Sequence, residues 1–415
     1  MKYIIAGAGP AGVIAAETLR KADPKGSILI VGDEPEPPYS RMAIPYLLSG
    51  GIGEEGTHLR KRPGHYKDHR IRILRDRVAK VHPKKREVTL AGGGKKPFDR
   101  LLIATGASAV KPKIPGLSLP GVHHCWTLED ARGIAKLAQK GADVVLLGAG
   151  FIGCIILESL ISRGVNLTVI EMENRMVSRM MDETAAAMLK RWCQGKGVSV
   201  RTGTRVNKVT ERDGGLRVHL DHGRPVPAAL LVVATGVRSN TGFLQGSGVK
   251  LGDGVLVDDR LMSSVDGIYA AGDAAQGPDF SGGWAVHAIQ PTAAEHGRIA
   301  ALNMAGGDAR YKGSLAMNVL DTAGLISASF GRWQGVKGGE AAQSLNRDDN
   351  QYIRLSFEGE RLIGALALGR TDHIGTLRGL IQTRVPLGVW KARLMADPGR
   401  IAEAYVALAS YPSAA

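Results

Sequence analysis

Gly7-Ala8-Gly9-Pro10-Ala11-Gly12 follows the apolar run Tyr3-Ile4-Ile5-Ala6. After 141 positions, Gly148-Ala149-Gly150-Phe151-Ile152-Gly153 follows Val144-Val145-Leu146-Leu147. Each stretch is a GxGxxG turn that joins a strand-like run to a helix-like one. The first glycine makes the tight turn, the second lets the backbone approach a pyrophosphate, and the third lets helix and strand pack closely. The helix start then points its free N–H groups at the phosphates. One copy alone is a weak signal. Two, each in strand–turn–helix context, imply two dinucleotides held by one polypeptide.

An acid that accepts from a ribose hydroxyl is expected about 20 residues beyond each fingerprint. In the first unit, Ile28-Leu29-Ile30-Val31-Gly32-Asp33-Glu34 puts Asp33 or Glu34 at the strand end. In the second, Leu167-Thr168-Val169-Ile170-Glu171 puts Glu171 there. A carboxylate accepts from a 2′-hydroxyl and repels a 2′-phosphate, which predicts NADH over NADPH at the second site. Arg175 stands close enough in sequence to oppose that preference.

At 415 residues the chain has room for two or three domains. Met1-Lys2 leads directly into the first strand, so no leader is expected, and no apolar run reaches membrane-span length. Cys125, Cys154 and Cys193 form no CxxC, so a reduced, cytoplasmic protein is expected, with each thiol a small buried residue. The net charge of +15 is uneven, because residues 58–113 hold 17 Lys and Arg against 4 Asp and Glu. That segment reads as a solvated face, as a docking surface for an acidic protein, or, least, as a nucleic-acid face with Tyr66 as its main aromatic.

Phe98-Asp99-Arg100-Leu101-Leu102-Ile103-Ala104-Thr105-Gly106 and Ala229-Leu230-Leu231-Val232-Val233-Ala234-Thr235-Gly236 share one form, an apolar strand ending in Ala-Thr-Gly. Small residues at a strand's carboxyl end allow close passage beside a nucleotide. Gly267-Ile268-Tyr269-Ala270-Ala271-Gly272-Asp273-Ala274-Ala275 is a third such strand, ending in small residues and an acid.

With these five motifs in order, residues 1–310 resemble the FAD-dependent pyridine-nucleotide–disulfide oxidoreductase superfamily. Pro37-Pro38-Tyr39-Ser40-Arg41, followed by a Ser-Gly-Gly stretch, is similar to the rubredoxin and ferredoxin reductases and to the flavin-binding part of nitrite-reductase large subunits. The resemblance implies an α/β protein with two Rossmann-like dinucleotide-binding domains, the NAD domain inserted in the FAD domain. Residues 1–112 and 240–310 would form the FAD domain and 113–239 the NAD domain. FAD would be held by Gly7, Gly9, Gly12, Asp33 or Glu34, Arg41, Ala104, Thr105, Gly106, Gly272 and Asp273. NADH would be held by Gly148, Gly150, Gly153, Glu171 and Gly236. Asp273 would accept from a ribityl hydroxyl, and Arg41 would lie near the FAD phosphates or flavin.

Residues 311–415 are expected to form a separate α+β domain that packs across a homodimer interface in the family. Strand-like stretches at Asn318-Val319-Leu320, 352–357 and 362–368, with a turn at Gly359, precede two amphipathic helices split near Pro386 and Pro398.

The chain departs from the family in two places. Disulfide-reducing members carry a redox cysteine early in the FAD domain, yet residues 39–50 contain none and no cysteine precedes Cys125. A thiolate route from flavin to substrate is therefore not expected. Many ferredoxin-reductase relatives also pair a Lys with a Glu near the nicotinamide. Here those positions fall on or near Tyr46 and on Ile155, and Glu158, one turn on, reads as structural. His123, His124, His287, His296 and His373 lack ligand-like spacing, so no metal site is expected and no catalytic residue is assigned.

These readings predict hydride transfer from NADH to FAD and onward transfer to a small acidic electron carrier such as a rubredoxin or ferredoxin, or to a partner redox subunit. The alternatives are a flavin subunit feeding a quinone, a metal cluster or dioxygen, and an NADH-responsive switch without enzymatic activity. Nucleic acid and membrane are not expected partners.

Overall fold

The computed structural model describes residues 1–212 and 214–409. The chain forms two compact units. Met1–Ala109 joins Val237–Ser314 in the first, and Val110–Gly236 joins Leu315–Ala415 in the second.

The first unit is built on five parallel strands in the spatial order Ile268–Ala270, Arg100–Ile103, Lys2–Ala6, Ser27–Gly32, Ile71–Arg75. Tyr3, Ile4, Ile5 and Ala6 are all buried, the continuous apolar pattern of a strand covered on both faces. From Lys2–Ala6 the chain first builds one side of the sheet and later the other. That reversal makes the carboxyl end of Lys2–Ala6 the topological switch point, where open α/β sheets bind ligands. The Pro10–Ala22 helix starts there, with Pro10 in its first turn and Arg20 and Lys21 in its last. It packs against the Gln290–Met304 helix at a close approach, where a Cβ on Gly297 would stand 2.3 Å from Ala11 O.

An antiparallel meander of Val78–His82, Glu87–Leu90 and Lys95–Pro97 buries Val78, Val81, Val88 and Leu90 in the same core. Its other face is cationic, with Lys80 and Lys95 flanking Thr89 in one cross-strand row.

The second unit repeats the layout. Its parallel strands run Ser199–Arg201, Asn166–Ile170, Asp143–Leu147, Leu230–Val233, Val122–His124. A meander of Val206–Arg212, Gly215–Leu220 and Val226–Ala228 shares their core. One edge differs. Beside Arg100–Ile103 in the first unit it is Ile268–Ala270, from the chain after the insertion, and beside Leu230–Val233 in the second it is Val122–His124, from the chain before the other four strands.

Five antiparallel strands follow, in the order Met317–Thr322, Leu325–Gly331, Arg361–Leu368, Gln351–Glu358, Glu340–Asn346. Gly359 makes the expected turn at φ 55°. Among the described residues three α-helices succeed them rather than two, Ile374–Thr383, Val389–Ala396 and Ile401–Ala409. The additional helix fits between Pro386 and Pro398, where only its boundaries were readable. This segment groups with the second unit through a clamp on the backbone of one residue, Ala323. The Glu158 carboxylate accepts from Ala323 N–H, and Trp192 Nε1 donates to Ala323 O at 3.1 Å. Tyr352 O–H donates to Asp182, the N-cap of the Glu183–Gly195 helix, at 2.7 Å. Residues 311–314 fall in the first unit instead, because Tyr311 enters its core.

Candidate functional site

The two glycine turns have the same internal geometry. Gly7 has φ 117°, and a Cβ there would lie 2.0 Å from Ala104 O; on Gly12 it would lie 2.1 Å from Gly7 O. Gly148 has φ 103°, with Ala234 O at 2.5 Å from such a Cβ, and Gly153 would meet Gly148 O at 2.1 Å. Outer glycines are therefore required by neighbouring backbone. The middle ones are different, because a Cβ on Gly9 or Gly150 would meet nothing within 4 Å. Open space thus lies directly over each turn.

Gly9 and Gly150 also cap their helices in extended conformation, and neither offers a side-chain acceptor to the first-turn N–H groups. Uncapped donors at a helix N-terminus, beside a backbone that leaves room, fit a pyrophosphate. Both turns pass this test for the dinucleotides expected from sequence.

The adjoining acids are arranged differently in the two units. Glu171 is buried, and its carboxylate accepts from Ala149 N–H at 2.6 Å and Glu173 N–H at 2.8 Å. Arg175 donates to Asn174 Oδ1, Met181 O and Ser178 O, so its guanidinium is engaged within its own loop. In the first unit Asp33 directly follows the Ser27–Gly32 strand. Glu34 accepts from both Tyr39 O–H and Arg41, and Arg41 also donates to Tyr39 Oη at 3.0 Å.

Gly272 (φ 67°) turns the chain into Asp273 at the end of Ile268–Ala270. Burial raises the Asp273 carboxyl above the ordinary carboxylate value, and the Arg41 guanidinium opposes that rise. Arg41 therefore acts electrostatically on Glu34 and Asp273 together. Position 41 is followed by Met42 and, further on, Tyr46, both exposed.

The Ala-Thr-Gly turns are stitched to the crossing segments. Thr105 Oγ1 donates to Asn240 O at 2.8 Å, Asn240 Nδ2 donates back to Thr105 O, and Asn240 N–H donates to Gly106 O. In the second unit Thr235 Oγ1 donates to Val110 O, and Gly236 O accepts from Val110 N–H. Asn240 was not legible as a site residue, since its partner lies 135 positions away.

Burial pushes the Cys125 and Cys193 thiols up to about 12 and raises Cys154 further, which opposes thiolate chemistry at all three. Among the described residues no cluster of three or more His, Cys, Asp and Glu converges as a metal site requires. Glu158 is the clamp on Ala323 described above, and Ile155 is half-buried on the same helix.

The family model for pyridine nucleotide-disulphide oxidoreductases matches residues 1–297. The chain is 31% identical over 400 residues to the NADH-dependent phenylglyoxylate dehydrogenase subunit epsilon of Aromatoleum evansii, covering 96% of this chain and 95% of that one. It is 27% identical to the rubredoxin-NAD(+) reductase of Ectopseudomonas oleovorans, over 92% of this chain and 99% of that one. Among solved structures, a NAD-dependent persulfide reductase from A. fulgidus superposes with a TM-score of 0.87 at 27% identity, covering 94% of this chain and 78% of its own. Matched twice in glycine geometry and once along most of its length, the chain is an oxidoreductase that belongs to the pyridine nucleotide-disulphide oxidoreductase family.

Proposed function

We propose that the protein is an FAD-dependent NADH oxidoreductase that passes electrons to an acidic redox protein or partner subunit without using a thiol. The observation that carries this reading is the pair of uncapped glycine turns with open space over Gly9 and Gly150. When bound, a flavin supplies hydride acceptance from a nicotinamide and onward transfer of electrons. Gly7, Gly9 and Gly12 would admit the FAD pyrophosphate, with Asp33 or Glu34 and Arg41 nearby and Asp273 on the ribityl chain. Ala104, Thr105 and Gly106 would pass beside the same nucleotide. Gly148, Gly150 and Gly153 would admit the pyrophosphate of NADH, Gly236 would keep the adjacent strand end clear, and Glu171 would accept from the adenosine ribose. The engagement of Arg175 within its loop supports NADH over NADPH.

Anaerobic titration of the holoprotein with NADH tests the reading. Bleaching of the flavin absorbance near one equivalent is expected; an oxidised flavin at tenfold excess would overturn it.

The acceptor is argued from charge. Arg60 is spent on Glu17, Arg62 on Asp68 and Arg86 on Asp266. Arg72, Arg75, Arg77, Lys80 and Lys95 remain exposed on the sheet edge and meander. Tyr66 packs partly against the core with its hydroxyl buried, which does not favour stacking of bases. An acidic electron carrier suits that face, and the named activity of the Ectopseudomonas relative supports it. The Aromatoleum relative, named as a subunit, supports a stable partner instead. Turnover with an acidic carrier should fall about tenfold between 50 and 300 mM salt, as screening shortens the attraction. A salt-independent rate would remove the docking face.

A further inference from the structure

His296 lies in the Gln290–Met304 helix and is 1% exposed. Its Nδ1 accepts from Gly272 N–H at 3.3 Å, which leaves the proton on Nε2, an atom with no partner among the described residues. Burial, reinforced by His287, drives its pKa down to about 3, so the ring is neutral and Nδ1 keeps its lone pair. His287 in turn stands with Nε2 2.9 Å from Asp279 Oδ2.

The ring is held from its other side. Tyr311 meets it edge-on with centroids 4.5 Å apart, and Tyr311 O–H bonds Ser314 Oγ. Ser314 Oγ also bonds Thr292 Oγ1 at 2.6 Å, and Thr292 sits one helical turn before His296. Tyr311, tied through Ser314 to Thr292 on the same helix, thus packs against the imidazole. Gly272 is wedged on the other side, where a Cβ would stand 3.3 Å from both Ala11 and Ala293. The residue after it is Asp273, whose carboxyl pKa burial raises and whose backbone leaves this turn.

We propose that His296 is a positioning residue, whose Nδ1 holds the Gly272 peptide so that the turn aims the Asp273 carboxyl at the FAD ribityl chain. The inference rests on the FAD reading given above. His296→Asn keeps an acceptor near the Nδ1 position but loses ring packing, whereas His296→Leu keeps volume and loses the acceptor. A packing role favours leucine and a positioning role favours asparagine.

The test is a double-mutant cycle with Asp273→Asn, read as FAD dissociation constants of reconstituted protein and as the visible circular dichroism of the bound flavin. His296→Leu should weaken FAD about tenfold in the wild-type background and less than about threefold beside Asp273→Asn, as coupled neighbours do. His296→Asn should stay within about threefold of wild type and retain its circular dichroism band. An equal loss in both backgrounds, or tighter FAD binding by the leucine variant than by the asparagine variant, overturns the role of His296 alone. Should His296→Leu fail to fold, His296→Asn weakening FAD tenfold or more overturns it equally. Wild-type protein that binds no FAD overturns the site reading as well.

Discussion

Alanine at Gly7 is expected to cost the protein its first dinucleotide unit, whereas valine at Gly9 is expected to cost only the ligand. Gly7 sits at φ 117° with Ala104 O 2.0 Å from any added Cβ. The left-handed backbone and the overlap with a buried strand end act together, and a loss above about 3 kcal/mol is expected. Gly9 has φ −77° and ψ −173°, a conformation any residue adopts, and nothing stands within 4 Å of a Cβ there. Apoprotein stability should therefore change by less than about 0.5 kcal/mol. FAD affinity should fall about 100-fold, because a side chain fills the space a phosphate needs. Urea unfolding of the apoproteins and FAD titration separate the two effects. Equal destabilisation by both substitutions would show that Gly9 is a packing residue. The same contrast is expected between Gly148 and Gly150 for NADH.

Glu171→Gln is expected to lower the preference for NADH over NADPH by about 30-fold, the size of one charge-assisted hydrogen bond with its opposing repulsion. The carboxylate now accepts from two backbone N–H groups, Ala149 and Glu173. An amide has one oxygen, so one of its own N–H groups would face a backbone donor. The loss of charge weakens the acceptor for a 2′-hydroxyl and removes the barrier to a 2′-phosphate together. The ratio of kcat/KM for the two nucleotides is the measurement. An unchanged ratio, with both values lowered alike, would leave Glu171 as a brace for the Gly148 turn and nothing more.

Much of the nucleotide chemistry was legible because it is local. The glycine spacing of each fingerprint, the apolar strand before it and the acid at the next strand end all lie within about 30 residues of one another, as a βαβ unit requires. Glu158 reads as structural from its place on the helix, and its bond to Ala323 N–H agrees. Long-range partners were not legible. Asn240 pairs with Thr105 across 135 positions, and Gly272 finds His296 only when strand end and helix are packed together. The Val389–Ala396 helix is not legible either, since eight residues between two prolines carry too few turns for a periodic signal.

By itself the sequence determined that two dinucleotide turns exist and where they begin, because backbone sterics at glycine leave few alternatives to that pattern. Tertiary structure alone decided what surrounds them. It ties Thr105 to Asn240 and Gly272 to His296, and brings the Arg41 guanidinium to act on Asp273. It also joins the strands that follow residue 315 to the inserted unit through the N–H and C=O of one residue, Ala323. Such choices depend on which buried donor meets which acceptor. That pairing is settled by packing between segments, where an unpaired polar group costs about 1–3 kcal/mol, and leaves no periodic trace along the chain.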